Sequence, residues 1–337
     1  MDRYLSALIE DIRETAADVA EAVDTVYFGG GTPSVFGAER IVKVLDAIRE
    51  SYKLTEPEIT VECNPSTTGG VFYETLFKAG VNRISLGMQS AVDKERKNLG
   101  RAADREQVAK SILEARQAGI NNISLDMMVG IPHQTTDSLD ESIEFIAEQN
   151  VEHISAYMLK IEEGTRFYDI RNKLVLPDED EVCDMYLHFS RQMKSLGYEH
   201  YEISNFAKPG KRARHNTKYW RDEEYLGFGP SAYSFYKGVR YHYDADIEKY
   251  IGQREAATDE AGGDREEYLM LALRLSDGLV FDEYEGRYGC CLKDEFFEKV
   301  SFFEKQGLMV SDSKHIALTA EGFLLSNTVI AELSEAL

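Results

Sequence analysis

Short apolar segments with strand character alternate with amphipathic helical segments over the first half of the chain, and this alternation most constrains the fold. Strands rich in β-branched and aromatic residues are predicted at residues 26–28, 59–63, 83–86, 122–128 and 153–159. Helices are predicted between them at residues 38–52, 71–79, 106–118 and 139–149. Strands that alternate with helices of this length form successive βαβ units, so we expect an α/β fold on a parallel sheet.

The first of these strands runs into three consecutive glycines, Gly29, Gly30 and Gly31. Without a Cβ atom these residues can adopt positive φ and let a small molecule approach the main chain, while Pro33 keeps the exit of the loop rigid. An ordinary tight turn between a strand and a helix explains the same residues. The glycines alone do not decide between the two interpretations.

Two carboxylates, Glu62 and Asp126, lie within apolar strand segments. Burial of either would be unfavourable without a cationic or hydrogen-bonding partner. Ligands of parallel sheets bind beyond the carboxyl ends of the strands, so we expect both carboxylates to lie with Gln89 and the glycine loop at one rim. For each carboxylate taken singly, a structural salt bridge is the alternative.

Charge and cysteine spacing exclude several classes of function. The formal net charge is −22, which argues against a nucleic-acid backbone as the main partner. No run of about 18 apolar residues and no apolar signal at the start are present, so we predict a cytoplasmic protein without a transmembrane segment. The four cysteines have no spacing typical of a disulfide framework or a metal site, and we assign no metal ligand.

The second half of the chain changes character. A helix is predicted at residues 178–196, a strand at 198–206, a basic aromatic loop at 208–220 and a polar linker at 251–265, followed by helix, strand pair and helix at 292–306, 308–318 and 320–337. This order suits a small winged-helix-like α+β module, and its acidic helices favour structural packing over DNA binding. We therefore predict a barrel at residues 1–175, an extension carrying the loop at 176–262, and the C-terminal module at 263–337.

Four motifs, in their order and spacing, resemble those of the radical-SAM family of oxygen-independent coproporphyrinogen III oxidases and their relatives. They are Phe28-Gly-Gly-Gly-Thr-Pro-Ser34, Glu62-Cys-Asn-Pro65, Arg83-Ile-Ser-Leu-Gly-Met-Gln-Ser90 and Asp126-Met-Met-Val-Gly-Ile-Pro-His-Gln-Thr135. The resemblance covers nearly the whole chain. It implies a partial (βα)6 TIM-like barrel with a C-terminal domain, of which this chain would lack the first strand.

The same resemblance assigns residues to S-adenosylmethionine (SAM). It implies that the main chain of Gly30, Gly31 and Thr32 contacts the methionine end, and that four further residues line the rest of the cofactor: Glu62, Gln89, Arg101 and Asp126. Arg101 lies just before a predicted helix, where a guanidinium could meet a carboxylate, although a solvated surface arginine is the alternative. No catalytic residue is assigned.

The block His215-Asn216-Thr217-Lys218-Tyr219-Trp220 resembles the signature of the haem-chaperone branch of this family, HemW, rather than that of the true oxidases. We expect its imidazole, amide and aromatic side chains at His215, Asn216, Tyr219 and Trp220 to face haem or a porphyrin. A packed aromatic corner with a hydrogen-bonded histidine is the alternative.

The resemblance thus implies a protein that binds haem and delivers it to an acceptor protein, whose identity the sequence does not give. Two alternatives stay open. The first is an oxygen-independent coproporphyrinogen III oxidase that decarboxylates propionates to vinyls, and the second is a remnant without SAM chemistry.

The family holds a [4Fe-4S] cluster with Cys-x3-Cys-x2-Cys after the first barrel strand, and this sequence contains no such motif. The cofactors implied are therefore SAM, haem and a cluster for which the chain has no cysteine ligands. Residues 1–16 align with the helix after the cluster loop. Either the sequence begins at an internal methionine of a longer reading frame or the lineage has lost the cluster, and the persistence of the SAM-contacting residues favours the first explanation.

Overall fold

A seven-stranded sheet is the largest sheet of the computed structural model, which describes residues 1–337 apart from the side chain of Glu260. Its strands are β1 (Val23–Phe28), β2 (Leu54–Cys63), β3 (Arg83–Gln89), β4 (Asn122–Val129), β5 (His153–Met158), β6 (Glu199–Glu202) and β7 (Asn205–Ala207). They follow the order β1-β2-β3-β4-β5-β7-β6, and β2 to β5 pair in parallel. The predicted α/β fold on a parallel sheet is confirmed.

The far edge of this sheet differs from the prediction. The single strand expected at residues 198–206 is a hairpin, in which β6 and β7 pair antiparallel and β7 pairs antiparallel with β5. Within the turn of this hairpin, Oε1 of Glu202 accepts a hydrogen bond of 2.9 Å from the backbone N–H of Ser204. The sheet is a curled half-barrel of seven strands, which confirms the expected partial TIM-like barrel, and the hairpin of β6 and β7 is the detail that differs.

Helices connect the strands and complete the chain. They are α1 (Asp2–Thr15), α2 (Pro33–Phe36), α3 (Ala38–Ser51), α4 (Gly70–Lys78), α5 (Asp93–Asn98), α6 (Arg105–Ala118), α7 (Thr136–Gln149), α8 (Arg166–Ile170), α9 (Glu179–Ser195), α10 (Arg214–Trp220), α11 (Ile247–Gly252), α12 (Arg265–Ala272), α13 (Phe281–Tyr288), α14 (Asp294–Lys305), α15 (Ala320–Leu324) and α16 (Ser326–Ser334). The four helices predicted between the parallel strands correspond to α3, α4, α6 and α7.

Contacts divide the chain into two compact units. The first unit comprises Met1–Val26, Glu39–Glu58 and Ala213–Leu337, and the second comprises Tyr27–Ala38 and Ile59–Arg212. The division into residues 1–175, 176–262 and 263–337 stays a prediction.

Within the second unit the two faces of the sheet differ in polarity. On β3, Ile84 and Leu86 are fully buried apolar residues, whereas Arg83 and Ser85 alternate with them and face the other way. The parallel register places Ser85 beside Glu62 on one side and beside Ser124 on the other. One face of the half-barrel is therefore apolar, and the other is lined by buried polar groups.

The first unit contains two small antiparallel sheets. One has the order β10-β9-β8, from β8 (Tyr233–Tyr236), β9 (Val239–Tyr243) and β10 (Ala256–Ala261), and the other has the order β11-β13-β12, from β11 (Leu279–Val280), β12 (Met309–Ser311) and β13 (His315–Leu318). The strand pair predicted at residues 308–318 is β12 with β13. Two expectations were wrong here, because the linker at 251–265 contains β10 and the loop at 208–220 ends in helix α10.

The described residues contain no helix with the length and hydrophobicity of a membrane span.

Candidate cofactor site and aromatic motif helix

The glycine loop after β1 has the backbone conformation that its sequence predicted. Gly30 and Gly31 have φ angles of +74° and +56°, and a Cβ added to either would have no atom within 4 Å. Gly29 is needed for another reason, since its Cβ would lie 2.6 Å from the ring of Tyr27. The loop is therefore open at Gly30 and Gly31 and tightly packed at Gly29. A ligand can approach the main chain at Gly30 and Gly31 but not at Gly29.

Glu62 ties this loop to the sheet. Its Oε1 accepts a hydrogen bond of 2.9 Å from the hydroxyl of Tyr27, and its Oε2 accepts one of 3.1 Å from the backbone N–H of Gly30. Burial and the Glu62 charge raise the pKa of Tyr27, so the phenol stays a donor. Glu62 thus has hydrogen-bonding partners in place of the structural salt bridge that the sequence left open.

Asp126 lies on β4, two strands away from Glu62, and is held by hydroxyl groups. Its Oδ1 accepts a hydrogen bond of 2.9 Å from Ser85 on the neighbouring strand. Burial, with a smaller contribution from the charge of Glu62, raises the pKa of Asp126 to about 6 against the opposing effect of its hydrogen bonds with Ser85 and Ser155. The two carboxylates therefore lie near the same end of the sheet, as expected, and the charge of Glu62 acts on Asp126.

Gln89, the last residue of β3, is buried and has a φ of +68°. The pairing of β3 with β4 is irregular between Gly87 and Gln89, which turns the Gln89 backbone out of the strand conformation. A non-glycine residue in the left-handed region is uncommon, and such residues cluster at ligand sites. The local sequence does not predict this backbone conformation at Gln89.

The other two residues implied by the resemblance have fewer contacts. Thr32 is exposed and directly precedes α2, with no side-chain hydrogen bond to that helix. Arg101 is exposed in the loop between α5 and α6, and its side chain forms no ion pair within the described part of the chain. The structure therefore brings Gly30, Glu62 and Asp126 together but gives Arg101 no contact with them.

Three residues near this site were missed: Tyr27, Ser85 and Arg83. Tyr27 and Ser85 donate to the two carboxylates, and Arg83 is almost completely buried on the same face as Ser85. The sequence pattern that could have identified them is a polar residue at every second position of β2 and β3. On β2 this period places Glu58, Thr60 and Glu62 on one face.

The cysteines do not fit an iron–sulfur cluster. Cys63 is buried on β2, where burial raises the pKa of its thiol above the normal range. Among the residues that the structure describes, no three His, Cys, Asp or Glu side chains are placed to hold a metal ion. The described residues therefore do not supply a set of ligands for such a cluster.

The aromatic motif forms helix α10 instead of a loop, and the helix begins on a buried carboxylate. Glu58, only 7% exposed, accepts hydrogen bonds from the backbone N–H groups of Arg214 (3.3 Å) and His215 (3.1 Å). A carboxylate at this position satisfies two otherwise unpaired donors and matches the helix dipole. Because Glu58 is more than 150 residues away in the chain, local sequence could not reveal this cap.

His215 and Tyr219 lie one turn apart on α10 and bond to each other. The Nε2 atom of His215 is 2.8 Å from the hydroxyl of Tyr219, and its Nδ1 atom is 2.8 Å from the hydroxyl of Thr25. Tyr219 also packs edge-on against Tyr225 with a centroid distance of 4.5 Å. Both ring nitrogens of His215 are therefore engaged, which matches the packed aromatic corner that the sequence left as the alternative.

The next face of α10 carries Asn216 and Trp220, again one turn apart. The Nε1 atom of Trp220 is buried without a hydrogen-bond partner among the described residues. The Asn216 side chain is partly exposed and likewise forms no hydrogen bond within the described structure. The motif thus separates into one internally bonded face and one face with unused polar groups.

Comparison with known proteins places the chain in a family. Residues 2–146 match the Radical SAM superfamily, and residues 264–325 match the HemN C-terminal domain. A Lactococcus lactis protein named Heme chaperone HemW is 33% identical over 98% of this chain and 88% of its own length, and the Bacillus subtilis protein of that name is 34% identical over 98% and 90%. The chain belongs to the HemW family of radical-SAM proteins.

Other HemW-family proteins and a solved structure agree with this assignment. The Heme chaperone HemW of Escherichia coli is 34% identical over 98% of this chain and 89% of its own length. The structure of coproporphyrinogen III oxidase (HemN) from Escherichia coli superposes with a TM-score of 0.84 over 100% of this chain and 83% of the other. At 22% identity, that likeness shows the fold alone.

Proposed function

We propose that this HemW-family chain binds haem and passes it to an acceptor protein. The observation that carries the proposal is the face of α10 formed by Asn216 and Trp220, where a partly exposed amide that forms no hydrogen bond within the described structure lies one turn from an indole ring whose N–H is buried without a partner. An aromatic ring can stack on a porphyrin, and the amide can bond its carboxylate. The names of the HemW relatives support the same function, whereas oxidase activity has only the likeness in fold behind it.

Trp220 is the only tryptophan of the chain, so its fluorescence reports on this face directly. Titration of the purified protein with hemin should quench Trp220 emission to saturation and give a haem absorption band. The Asn216→Ala variant should bind hemin about threefold to tenfold more weakly, the loss of one hydrogen bond. Its matched control is Asn121→Ala, which truncates an exposed asparagine elsewhere.

Delivery is measured by mixing the hemin-loaded protein with apomyoglobin and following the absorption band of the acceptor. The proposal predicts transfer faster than from free hemin aggregates. Quenching that rises without saturation, or equal affinities of wild type and Asn216→Ala, would contradict the assignment of the haem-binding face. Formation of vinyl products from coproporphyrinogen would favour the oxidase instead.

We further propose that the rim formed by Gly30, Gly31, Thr32, Glu62, Gln89, Arg101 and Asp126 binds SAM. The open main chain at Gly30 and Gly31, the paired carboxylates and the strained Gln89 backbone support this site. SAM carries a positive sulfonium and an amino-acid group, which suit a rim with two carboxylates and accessible main-chain groups. In this protein Glu62 would hold the loop, and Asp126 would face the charged ligand.

A further inference from the structure

Arg83, at the start of β3, is a buried positive charge without a partner in the described structure. Its side chain is only 2% exposed. Its Nε atom is buried without a hydrogen-bond acceptor, and among the described residues no side chain or backbone group forms an ion pair or hydrogen bond with its guanidinium group. An unpaired buried charge is strongly unfavourable, and arginine does not lose its proton in proteins. Water can accept from the N–H groups but brings no counter-charge, so the guanidinium group calls for an anion.

Two side chains beside Arg83 also have polar atoms without a partner. The parallel register places Thr60 of β2 on one side of Arg83 and Asn122 of β4 on the other. Residues in register on adjacent parallel strands point to the same face, which here is the polar face of the half-barrel. The Oγ1 atom of Thr60 and the Oδ1 atom of Asn122 are both buried without a hydrogen-bond partner in the described structure. Thr60, Arg83 and Asn122 together are called the Arg83 row.

The surrounding titratable groups leave the charge of Arg83 uncompensated. Burial, and with it the charge of Arg83, holds the pKa of His153 on β5 well below its usual range, so that imidazole is neutral. On Asp126, burial raises the pKa and the charge of Arg83 has an opposing effect, but the two groups form no ion pair in the described structure. The hydrogen-bonding capacity of the guanidinium group is therefore unused, although its charge acts on its neighbours.

The chemistry of the Arg83 row suits a carboxylate. A guanidinium group binds a carboxylate through two parallel hydrogen bonds, and the hydroxyl of Thr60 can donate a further one. The amide of Asn122 presents its NH2 group in place of its oxygen when it rotates about its last bond. Asn122 is partly exposed, so solvent reaches the row from its side. Glu62 lies on the same face two residues beyond Thr60, and its charge disfavours a dianion such as phosphate relative to a monocarboxylate.

We propose that the Arg83 row binds a small monocarboxylate, with Arg83 as the counter-charge and with Thr60 and Asn122 as hydrogen-bonding neighbours. In the strands the row lies two residues before Glu62 and Ser85, so it is separate from the rim proposed for SAM. Neither haem binding nor SAM binding is needed for this site, and its failure would leave both of those proposals standing.

The test titrates the purified protein with sodium propionate by calorimetry and follows its unfolding by urea. Propionate should bind the wild type saturably, in the millimolar range, and should stabilise it. Propionamide has the same shape without the charge and should not bind, and chloride at equal ionic strength should stabilise less because it cannot accept two parallel hydrogen bonds.

Arg83→Met should lower the affinity for propionate at least tenfold, the loss expected for charge-assisted hydrogen bonds. Without propionate this variant should be as stable as the wild type or more stable, because it removes an unpaired buried charge and no protein contact. Thr60→Val keeps the shape of the side chain and should weaken propionate binding about threefold.

Arg105→Met is the matched control. Arg105, on α6 of the same unit, pairs with Glu148 at 2.9 Å and is 39% exposed, so its replacement should leave propionate binding unchanged. Arg83→Lys keeps the charge without the planar fork and should bind propionate with an affinity between those of the wild type and Arg83→Met.

Four outcomes would overturn the proposal. They are a wild type without saturable propionate binding, equal stabilisation by propionate and chloride, tighter binding of inorganic phosphate than of propionate, and a loss of stability in Arg83→Met without propionate. The last outcome would show that the guanidinium group stabilises the fold through the protein itself and not through a ligand.

Discussion

At the scale of single residues, the candidate cofactor rim holds two carboxylates in different states. Glu62 accepts hydrogen bonds from a phenol and from a backbone N–H, whereas Asp126 has hydroxyl partners and a pKa raised by burial. Two nearby carboxylates cannot both ionise freely in a poorly solvated site. Asp126 is therefore the group whose charge responds to pH and to a bound cation.

We expect the Asp126→Asn variant to gain stability relative to wild type as the pH rises. The pKa of Asp126 moves from 3.8 to about 6 on folding, so the native state binds the extra proton between these values. The contribution of the carboxyl group is thus favourable at low pH and is lost as the pH rises through about 6, by at most about 3 kcal/mol. Asparagine does not titrate, so the Asp126→Asn variant does not lose this stability as the pH rises.

Urea unfolding of both proteins between pH 4 and pH 7 measures this difference. If SAM binds at this rim, its positive charge lowers the pKa of Asp126, and saturating SAM should make the two pH curves more nearly parallel. Curves that are already parallel without SAM would rule out the raised pKa.

At the scale of elements, helix α10 shows how a tertiary contact selects a conformation. Its seven residues are too few to form a stable isolated helix in water. Glu58 caps its first turn, and Lys218 pairs with Asp24 at 3.2 Å. Both partners come from segments far away in the sequence, so the helix is determined by its surroundings.

Removal of the cap should loosen α10. Glu58→Ala should lower the free energy of unfolding by about 0.5–2 kcal/mol, the usual range for a lost N-terminal cap. It should also shift the emission of Trp220 to longer wavelength because the ring gains contact with water. Glu58→Gln, which keeps an acceptor oxygen, should have a smaller effect.

Glu141→Ala, at an exposed position of α7, is the control for this change of side chain. Wild-type emission and stability in Glu58→Ala would show that the carboxylate does not hold the helix.

At the scale of the whole molecule, Asp222 joins separate parts of the first unit. Its side chain is fully buried and accepts hydrogen bonds from Arg240 on β9, at 3.1 Å, and from Arg287 on α13. Burial raises the pKa of Asp222, although the guanidinium groups of Arg287 and Arg240 oppose this effect. This carboxylate therefore connects the β8–β10 sheet to the C-terminal helices.

Asp222→Ala should destabilise the protein by about 3–5 kcal/mol, because it leaves two arginines without their buried counter-charge. Denaturant unfolding measures the loss. The exposed pair of Lys160 and Glu162, 2.7 Å apart, is the control, and Glu162→Ala should change stability little. A similar loss of stability in Asp222→Ala and Glu162→Ala would show that the buried Asp222 pairs stabilise the protein no more than an exposed ion pair does.

The sequence by itself determined the parallel part of the sheet and the glycine loop. Apolar residues at every second position specify strands, and apolar residues at helical spacing specify helices. Gly30 and Gly31 can adopt positive φ because they lack a Cβ atom, whatever their tertiary surroundings. The order of the motifs also sufficed to predict the family. These features depend on neighbours within a few residues, so local sequence contains them.

The tertiary structure alone decided the hairpin of β6 and β7, the helical form of the aromatic motif and the engagement of both His215 nitrogens. Each depends on a hydrogen bond between distant or turn-forming groups, such as Glu58 with the start of α10. It also decided the contact between His242 and Asp259, since these residues meet only when β9 pairs with β10. Hydrogen bonding is directional and short-ranged, so its partners follow from the folded register and not from the composition of the segment.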